Sequence, residues 1–258
     1  MNSSRYWNDL ATTLATYTSY PLWRDFCDTL HTATLQEWIG DRHFSTALKT
    51  DLFDETCGNG MIPYLSYHAD QVVGIDISEV IVGQVALRYP YLTAQVEDAR
   101  ELTFPDDTFD LIFSNSTLDH FFNPADLSRA VHELVRVLRK GGLLFLTLDN
   151  PCNPVIAARN QLALHWNAQN ALLPYRMGHT LSLRQMVNLL EGSDCQILRR
   201  GHLLHLPRVL FLHLSRLVNR DSALGRRLLA MMLGFETLER LPTAPLTGHF
   251  SAILASKR

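Results

Sequence analysis

The fold class that this sequence predicts is α/β, with a doubly wound, mainly parallel sheet of seven strands. The middle of the chain alternates short apolar runs with helical patterns, which is typical of parallel βα units. Five such runs occur in succession, and two further strand patterns close the chain. With 258 residues, 47% hydrophobic and 19% charged, the chain is long and apolar enough for one well-packed domain.

The strand predictions rest on apolar runs that turn residues or polar residues bound. The five in βα succession are Thr50–Asp54, Gln71–Ile75, Thr93–Glu97, Asp110–Ser114 and Gly142–Leu148. Two further strands, Cys195–Leu204 and Leu246–Ala255, are predicted after them. Helical patterns fill Leu206–Pro245 between these last two, and another helical segment, Arg5–Gly40, precedes the first strand.

Capping signals delimit the helix before the fifth strand. Asn123 followed by Pro124 is a typical helix start, and apolar residues at helical spacing follow it. Arg139 and Lys140 would then lie at the negative end of the helix. Gly141 is expected to end it in a left-handed conformation.

Composition and charge exclude several classes of function. A net charge of −3 without a long basic run disfavours a nucleic-acid backbone as partner. No apolar stretch approaches the roughly 20 residues of a membrane-spanning helix, and the first residues lack a signal-peptide core. The four cysteines show neither metal-binding spacing nor a paired framework. We therefore expect a cytoplasmic protein without a metal site.

The candidate cofactor loop is Asp54–Gly60, between the first predicted strand and a helix. Gly58 and Gly60 allow the backbone to approach a ligand closely, and a helix N-terminus favours a carboxylate or phosphate. Asp76 ends the next strand, where an acid can accept hydrogen bonds from the ribose of either NAD or SAM. Pro63 stands where a dinucleotide-binding loop has its third glycine, which counts against NAD.

Five stretches, in order along the chain, resemble motifs of the class I SAM-dependent methyltransferases. They are Asp54–Gly60, Gly74–Asp76, Glu97–Ala99, Phe104–Ile112 and Leu134–Gly142. The likeness covers about residues 48–200 and is closest to the small-molecule branch that includes the quinone-biosynthesis enzymes. Thr56 departs from the family, which usually has glycine there. Because a β-branched residue resists positive φ, we expect the loop to turn without a left-handed residue at that position.

The resemblance implies a Rossmann-like fold, SAM as cofactor, SAH as product, and roles for individual residues. The residues that it assigns to the cofactor are Asp54, Thr56, Gly58, Gly60, Asp76, Ile77, Asp98, Ala99, Ser114 and Asn115. The loop residues would surround the methionine part, and the last two would lie near the transferable methyl. Asp76 would hold the ribose hydroxyls, with Ile77 against the adenine. Asp98 would accept a hydrogen bond from the adenine amino group beside Ala99.

Methyl transfer from a sulfonium is an in-line displacement, so the protein mainly positions the reactants. A base is needed only when the nucleophile arrives protonated. Residues 115–122 and 149–180 follow the fourth and fifth strands and are expected to form the acceptor walls. His120 is the first candidate base, and His179 and Tyr175 are the next candidates. A structural role is the alternative for each.

Two helical regions flank the motifs. Residues 1–45 are expected to form a lid that covers SAM and shapes the acceptor site, with ordinary packing as the alternative. Residues 206–245 carry arginines among leucines and methionines. Three interpretations stay open for them: a helical cap with a solvated basic face, a homodimer contact, or a surface for anionic lipid or a polyprenyl-linked substrate. Residues 46–205 would form the SAM-binding core and residues 246–258 the last strand of a single domain.

The sequence therefore predicts a SAM-dependent methyltransferase that modifies O, N or C of a small metabolite, with an amphiphilic one as the narrower option. The first alternative is a non-catalytic SAM- or SAH-binding module that serves as a partner or regulatory subunit. The second is an NAD-dependent oxidoreductase, against which Pro63 argues.

Overall fold

The computed structural model describes residues 3–14, 20–165 and 178–258 of the chain. Its sheet consists of β1 (Phe44–Thr50), β2 (Ala69–Asp76), β3 (Thr93–Val96), β4 (Phe109–Asn115), β5 (Leu138–Asp149), β6 (Cys195–Leu203) and β7 (Phe250–Lys257). The strand order is β3-β2-β1-β4-β5-β7-β6, and β7 runs antiparallel to both of its neighbours. The predicted doubly wound, mainly parallel sheet of seven strands is therefore confirmed.

Helices cover both faces of the sheet. Those described are α1 (Ser3–Leu14), α2 (Pro21–Ile39), α3 (Phe53–Cys57), α4 (Ile62–His68), α5 (Glu79–Arg88), α6 (Pro124–Val137), α7 (Pro154–His165), α8 (Leu183–Gly192), α9 (Arg208–Leu217), α10 (Ala223–Gly234) and α11 (Ala244–Thr247), with 3₁₀ turns at Leu118–His120 and Phe235–Arg240. Side chains of the central strands alternate between two apolar clusters. One cluster includes α2, α4, α5, α9 and α10, and the other includes α6 and α8.

The boundary predicted for the first strand, Thr50–Asp54, is wrong. The strand ends at Thr50, and α3 begins three residues later. Asp51 causes this change of direction, since it adopts a left-handed φ of 68° and its Oδ1 accepts a hydrogen bond from the backbone N–H of Phe53 at 2.8 Å. Aspartate tolerates this conformation because its short side chain bonds to the local backbone.

The predicted end of the helix before β5 is also wrong. α6 starts after Asn123 as predicted, but it ends at Val137, and the strand begins at the next residue. Gly141 has a φ of 74°, yet it lies inside β5, where the pairing with β4 changes register. Arg139 therefore belongs to a strand and forms an ion pair with Asp110. Strand pairing therefore ends the helix at Val137, before the chain reaches Gly141.

The last strand begins later than predicted. Leu246 belongs to α11, and β7 starts at Phe250 instead. Pro245 occupies the first turn of α11, where its missing N–H costs no hydrogen bond. The predicted strand Leu246–Ala255 is thus divided between a short helix and a strand. Hydrophobic periodicity alone does not distinguish the two in a short apolar run.

Lys49 lies in the central strand β1 and is almost fully buried, with 3% of its surface exposed. Its Nζ lies 2.9 Å from Oε2 of Glu55, which is completely buried in α3, and it also donates to the carbonyl of Asp51. Burial opposes the charge of Lys49, but the carboxylates of Glu55 and Asp51 outweigh it and raise the lysine pKa. This ion pair fixes the loop after β1 against the sheet.

We predict that removing one partner of this pair strongly destabilises the protein. Lys49→Met and Glu55→Gln should each lower the free energy of unfolding by about 3–5 kcal/mol, because the remaining group stays buried without its partner. The double variant should lose less than the sum of the two. Urea unfolding measures all three.

The exposed pair Arg129–Glu101 supplies the control for this cycle. Arg129→Gln should change the free energy of unfolding by less than about 1 kcal/mol, because surface ion pairs contribute little. A loss of similar size at Lys49 and at Arg129 would contradict the assigned role of the buried pair.

Candidate cofactor and acceptor site

The carboxyl ends of β1, β2, β3 and β4 lie along one edge of the sheet, and most of the predicted cofactor residues follow them. Asp76 ends β2, Asp98 lies two residues beyond β3, and Ser114 and Asn115 end β4. The strand order reverses between β1 and β4. In doubly wound sheets this reversal opens a crevice at the carboxyl edge, where ligands bind.

Asp76 is held firmly at this edge. Its Oδ2 accepts a hydrogen bond from the N–H of Leu52 at 3.0 Å, and its Oδ1 accepts one from the N–H of Ser78 at 2.8 Å. Each oxygen retains a lone pair for a further donor. Burial raises the pKa of this carboxyl. Ile77, predicted to contact the adenine, follows directly and is half-buried. Asp76 can therefore accept hydrogen bonds from ribose hydroxyls, but that role stays a prediction.

Asp51 is a second carboxyl group at this edge, and sequence reasoning gave it no role. It follows β1 directly, as Asp76 ends the adjacent β2. Burial raises the pKa of Asp51 well above its usual value, and the charge of Asp76 raises it further. A half-buried carboxyl group, Asp51, and a buried one, Asp76, therefore lie close together at the ends of neighbouring strands.

The first half of the predicted cofactor loop forms α3 and packs against α2. Asp54 forms an ion pair with Arg24 of α2. Burial alone would raise the pKa of Asp54, but Arg24 and Lys49 hold it below its usual value. Thr56 lies in the helical turn and donates from Oγ1 to the carbonyl of Phe53 at 2.7 Å, so it needs no positive φ.

The two loop glycines allow side chains of α2 and α3 to approach the backbone. A Cβ at Gly58 would lie 3.2 Å from the Cβ of Arg24, and a Cβ at Gly60 would overlap the carboxylate of Glu55. Gly60 has a φ of 61°, and its N–H donates to Oδ2 of Asp28 at 3.1 Å. The sequence predicts that a ligand approaches the backbone at these glycines. Carboxyl groups of the protein itself occupy part of that space.

Acidic groups outnumber basic groups around this loop. The carboxyl groups are Asp28, Asp51, Asp54, Glu55 and Asp76, and the cations are Arg24, Lys49 and Arg88. Burial, then the charge of Asp54, raises the pKa of Asp28 to about 7. Protonation relieves this excess of negative charge, and so would a bound cation.

The chemistry of this donor set fits SAM. The sulfonium and ammonium of SAM are cations, and its ribose offers two hydroxyl donors to Asp51 and Asp76. The pyrophosphate of NAD would be repelled by the same carboxylates. The charge of the site therefore agrees with the sequence argument from Pro63.

Asp98 has a partner that the sequence did not predict. Its two carboxylate oxygens accept hydrogen bonds from Nε and Nη2 of Arg100 at 2.9 and 2.6 Å. Burial would raise the pKa of Asp98, but these bonds lower it. Arg100 also donates to Asp126 at 3.0 Å, which links the end of β3 to α6. Ala99 is buried beside Asp98, and contact of either residue with adenine stays a prediction.

Ser114 and Asn115 are bonded to the neighbouring strands. The buried hydroxyl of Ser114 accepts from Oγ1 of Thr50 at 2.9 Å. Oδ1 of Asn115 accepts from Oγ1 of Thr147 at 2.7 Å. These bonds join β1, β4 and β5 where the strand order reverses. Contact of either residue with the methionine part is likewise still a prediction.

The N-terminal helix α1 connects the cofactor side of this edge to the predicted acceptor side. Oδ1 of Asn8 accepts from Oγ of Ser78, two residues beyond Asp76, at 2.7 Å. The ring of Trp7 meets the ring of His120 edge-on, with centroids 4.9 Å apart. Because α1 contacts both places, it lies where the predicted lid should be.

The two histidines predicted as candidate bases lie on neighbouring segments. The N–H of His179 donates to the carbonyl of Phe121 at 2.6 Å, and the N–H of Gly178 donates to the carbonyl of Asp119 at 2.8 Å. His120 lies between these two acceptors in the chain. Tyr175, the third candidate, lies outside the described residues. The structure thus brings residues 178–180 against the 3₁₀ turn that carries His120.

A buried polar network lies behind this acceptor side. Oδ2 of Asp119 accepts from the N–H of Asp149 at 2.9 Å, and the Asp149 carboxylate lies 2.7 Å from Nη1 of Arg159. Nε2 of His249 lies 2.6 Å from Nη1 of Arg208 and 3.4 Å from Oδ1 of Asp149. Since arginine can only donate, Nε2 accepts and the proton is on Nδ1. Burial and Arg208 lower the pKa of His249, which keeps it neutral.

Comparison with known proteins finds similarity to methyltransferases in the core of the chain. The family model described as a methyltransferase domain matches residues 53–146. A probable S-adenosylmethionine-dependent methyltransferase of Mycobacterium tuberculosis is 32% identical over 101 residues, which are 39% of this chain and 36% of that protein. A demethylmenaquinone methyltransferase of Symbiobacterium thermophilum is 31% identical over 117 residues, covering 42% and 45% of the two chains.

Other relatives extend the range of acceptors named in the family. An eEF1A lysine and N-terminal methyltransferase of Xenopus laevis is 33% identical over 118 residues, covering 41% of this chain and 17% of that protein. The fold matches a SAM-dependent methyltransferase of Methanosarcina mazei, with a TM-score of 0.58, 17% identity, and coverage of 87% and 96%. The core of the chain is thus similar in sequence to SAM-dependent methyltransferases, and its fold is that of such an enzyme. The chain spans less than half the length of the three curated relatives that it matches in sequence.

In the ranges that the structure describes, no three histidine, cysteine or carboxylate side chains group suitably for a metal ion. None of the helices described is long and apolar enough to cross a membrane. The cysteines at positions 27, 57, 152 and 195 are free thiols.

We predict that Asp28 makes the stability of this protein depend on pH. Its pKa rises from 3.8 in the unfolded chain to about 7 in the folded one, so the stability that it contributes is complete below the lower value and is lost as pH rises towards 7. Asp28→Asn removes this titration. The variant should therefore gain on the order of 1 kcal/mol over wild type between about pH 5 and about pH 8.

Urea unfolding at the two pH values measures this difference. The exposed carboxyl of Asp221 supplies a matched control, Asp221→Asn. A difference between Asp28→Asn and wild type that stays constant, or shrinks as pH rises, would contradict the assigned pKa.

Proposed function

We propose that this chain transfers a methyl group from SAM to a small-molecule acceptor. The observation that carries the proposal is the acidic carboxyl edge formed by Asp51 and Asp76, which α1 connects to His120. This edge suits a cationic cofactor with a ribose. Similarity of the core to methyltransferases supports the same activity.

Each part of the site has a task in this reaction. Asp76 and Asp51 would accept hydrogen bonds from the ribose hydroxyls, and the acidic loop would bind the cationic part of the cofactor. When bound, SAM supplies an electrophilic methyl group. Trp7 of α1 covers the ring of His120 and would exclude water from the acceptor. His120 would accept the proton of an acceptor that arrives as an alcohol, phenol or ammonium.

The surroundings of His120 favour a small acceptor over a protein. α1 contacts His120 from one direction, and residues 178–180 bind the adjacent backbone. A macromolecular acceptor would have to displace α1 to reach this turn, whereas a small molecule need not. Among the relatives, one name refers to demethylmenaquinone and another to the protein eEF1A. The covered turn is our reason for preferring the first class.

One observation favours a second candidate, a SAM- or SAH-binding module without activity. The N–H of Gly60 is bonded to Asp28, and the carboxylate of Asp98 is bonded to Arg100. Two groups predicted to contact SAM are thus bonded within the chain. This candidate predicts SAH binding without methyl transfer to any component of a metabolite extract.

We predict that Asp76→Asn weakens SAH binding on the order of ten- to a hundredfold, because charged hydrogen bonds to the ribose are lost. Calorimetry with SAH measures the change. Asp70 lies at the other end of the same strand and is exposed, so Asp70→Asn is the matched control and should bind SAH like wild type. A folded wild-type protein that does not bind SAH would overturn the cofactor assignment.

We predict that His120→Gln lowers kcat by about a hundredfold or more for a protonated acceptor, because the base is lost. SAH affinity should stay unchanged, since His120 lies on the acceptor side. Transfer of labelled methyl from SAM into a metabolite extract provides the assay. His43→Gln, at an exposed histidine just before β1, is the control. If both variants and wild type had equal turnover, His120 would be a packing residue and not the base.

A further inference from the structure

Helices α9 and α10 present an apolar surface that the rest of the described chain leaves open. Both pack their inner sides against α2, and Phe211, Leu228 and Met232 join the core there. Five large aliphatic side chains on their outer sides are more than half exposed: Val209, Leu210, Leu217, Leu224 and Met231. Leu217 reaches 82% exposure. We call these five residues, with Arg216 and Arg227, the outer face.

Helical spacing places these residues together on each helix. In α9, Leu210 and Leu217 are two turns apart, and Val209 and Arg216 form a second pair with the same spacing. In α10, Leu224, Arg227 and Met231 follow at intervals of three and four residues, which is one helical stripe. Each helix therefore combines exposed aliphatic groups with a cation on the same side.

The charge of this region is strongly one-sided. Residues 208–234 contain one acid, Asp221, whereas Arg216, Arg220, Arg226 and Arg227 are exposed cations. Arg220 is paired with Asp25 and approaches Asp221, and Arg216 stacks on the ring of Tyr20. A depression of about 430 Å³ between α9 and the start of α2 is lined by both of these arginines.

We propose that the outer face docks on an anionic lipid surface. Leucine and methionine side chains can enter the boundary between headgroups and acyl chains, while arginines bind lipid phosphates. The depression is lined by two guanidinium groups and the Asp221 carboxylate, and the Arg216 guanidinium there can bind a phosphate headgroup. This occupant supplies both the apolar contact and the negative charge that the face lacks.

A second copy of the chain fits this face less well. A two-fold contact would bring the arginines of one copy against those of the other, and Asp221 is the single acid that residues 208–234 contribute. A nucleic acid would use the cations but leave the leucines exposed to water. Charge complementarity and apolar area together select the lipid surface.

The outer face is connected to the acceptor side of the site. Because β6 runs parallel to β5, α9 begins at the same edge of the sheet as the residues after β5. Arg208, the first residue of α9, donates to His249, whose carbonyl accepts from the N–H of Asn150 at 2.8 Å. The preceding residue, Asp149, donates its N–H to Asp119, next to His120. Docking would therefore bring the acceptor side near the membrane. That the acceptor is an amphiphile taken from the bilayer rests on the proposed function; the docking itself does not.

Co-sedimentation with vesicles tests the docking. Wild-type protein should bind vesicles of equimolar phosphatidylglycerol and phosphatidylcholine, bind far less to phosphatidylcholine alone, and dissociate as salt increases. The double variant Arg226→Glu/Arg227→Glu should bind at least about tenfold more weakly, because each basic residue near an anionic surface contributes appreciably. Leu217→Ser should weaken binding several-fold.

Matched variants control for charge and for exposed leucine. Arg199→Glu/Arg200→Glu changes the charge equally at exposed positions of β6, and Leu87→Ser removes a leucine that is 85% exposed on α5. Both should bind vesicles like wild type. Absence of binding to the anionic vesicles, or equal losses in the control variants, would overturn the proposal.

Sedimentation velocity separates the competing occupant. A dimer that Leu217→Ser dissociates, in a protein that ignores anionic vesicles, would assign the outer face to a second copy instead. SAH binding is measured independently by calorimetry. Vesicle binding without SAH binding would therefore refute the proposed function alone, and SAH binding without vesicle binding would refute the docking alone.

Discussion

The buried ion pair between Lys49 and Glu55 is the interaction on which the candidate site depends. A buried lysine in the central strand of a parallel sheet is compatible with the fold only if a carboxylate forms an ion pair with it. Glu55 can do so because Asp51 reverses the chain immediately after β1. This reversal also places Asp51 next to Asp76 and directs the glycine loop towards α2. The acidic carboxyl edge is therefore a consequence of how one buried charge is neutralised.

Neutralising Lys49 leaves more carboxyl groups at this edge than cations to pair with them. The raised pKa values of Asp28, Asp51 and Asp76 follow mainly from their burial, which means that folding works against their ionisation. A ligand that carries positive charge would oppose that cost, and its binding would be linked to the ionisation of these groups. The excess of carboxyl groups thus makes the loop less stable without a bound cation than with one. Such local instability is a common feature of binding sites.

Local patterns were sufficient to predict most of the sheet and the edge that carries the site. Apolar runs located β2 to β6, and Asp76 was recognisable from its distance to the glycine loop. The failures have physical reasons. The start of β1 was missed because Lys49 is polar, and its ionic partner Glu55 lies beyond the strand. Gly141 was assigned to a helix end, although strand pairing with β4 decides its position. Asp28 and Arg208 reach the site through tertiary contacts, which no local pattern records, and Arg100 was overlooked although it binds Asp98 two residues before it.

The two helical flanks divide the surroundings of the acceptor side between them. α1 contacts Ser78 and His120, so it can respond to both cofactor and acceptor. α9 reaches the same region from the far end of the sheet, through Arg208 and the neutral His249. The strand pairing of β1 to β5 involves neither helix. Selection of the acceptor would therefore reside in the flanks, where the outer face of α9 and α10 combines apolar area with positive charge.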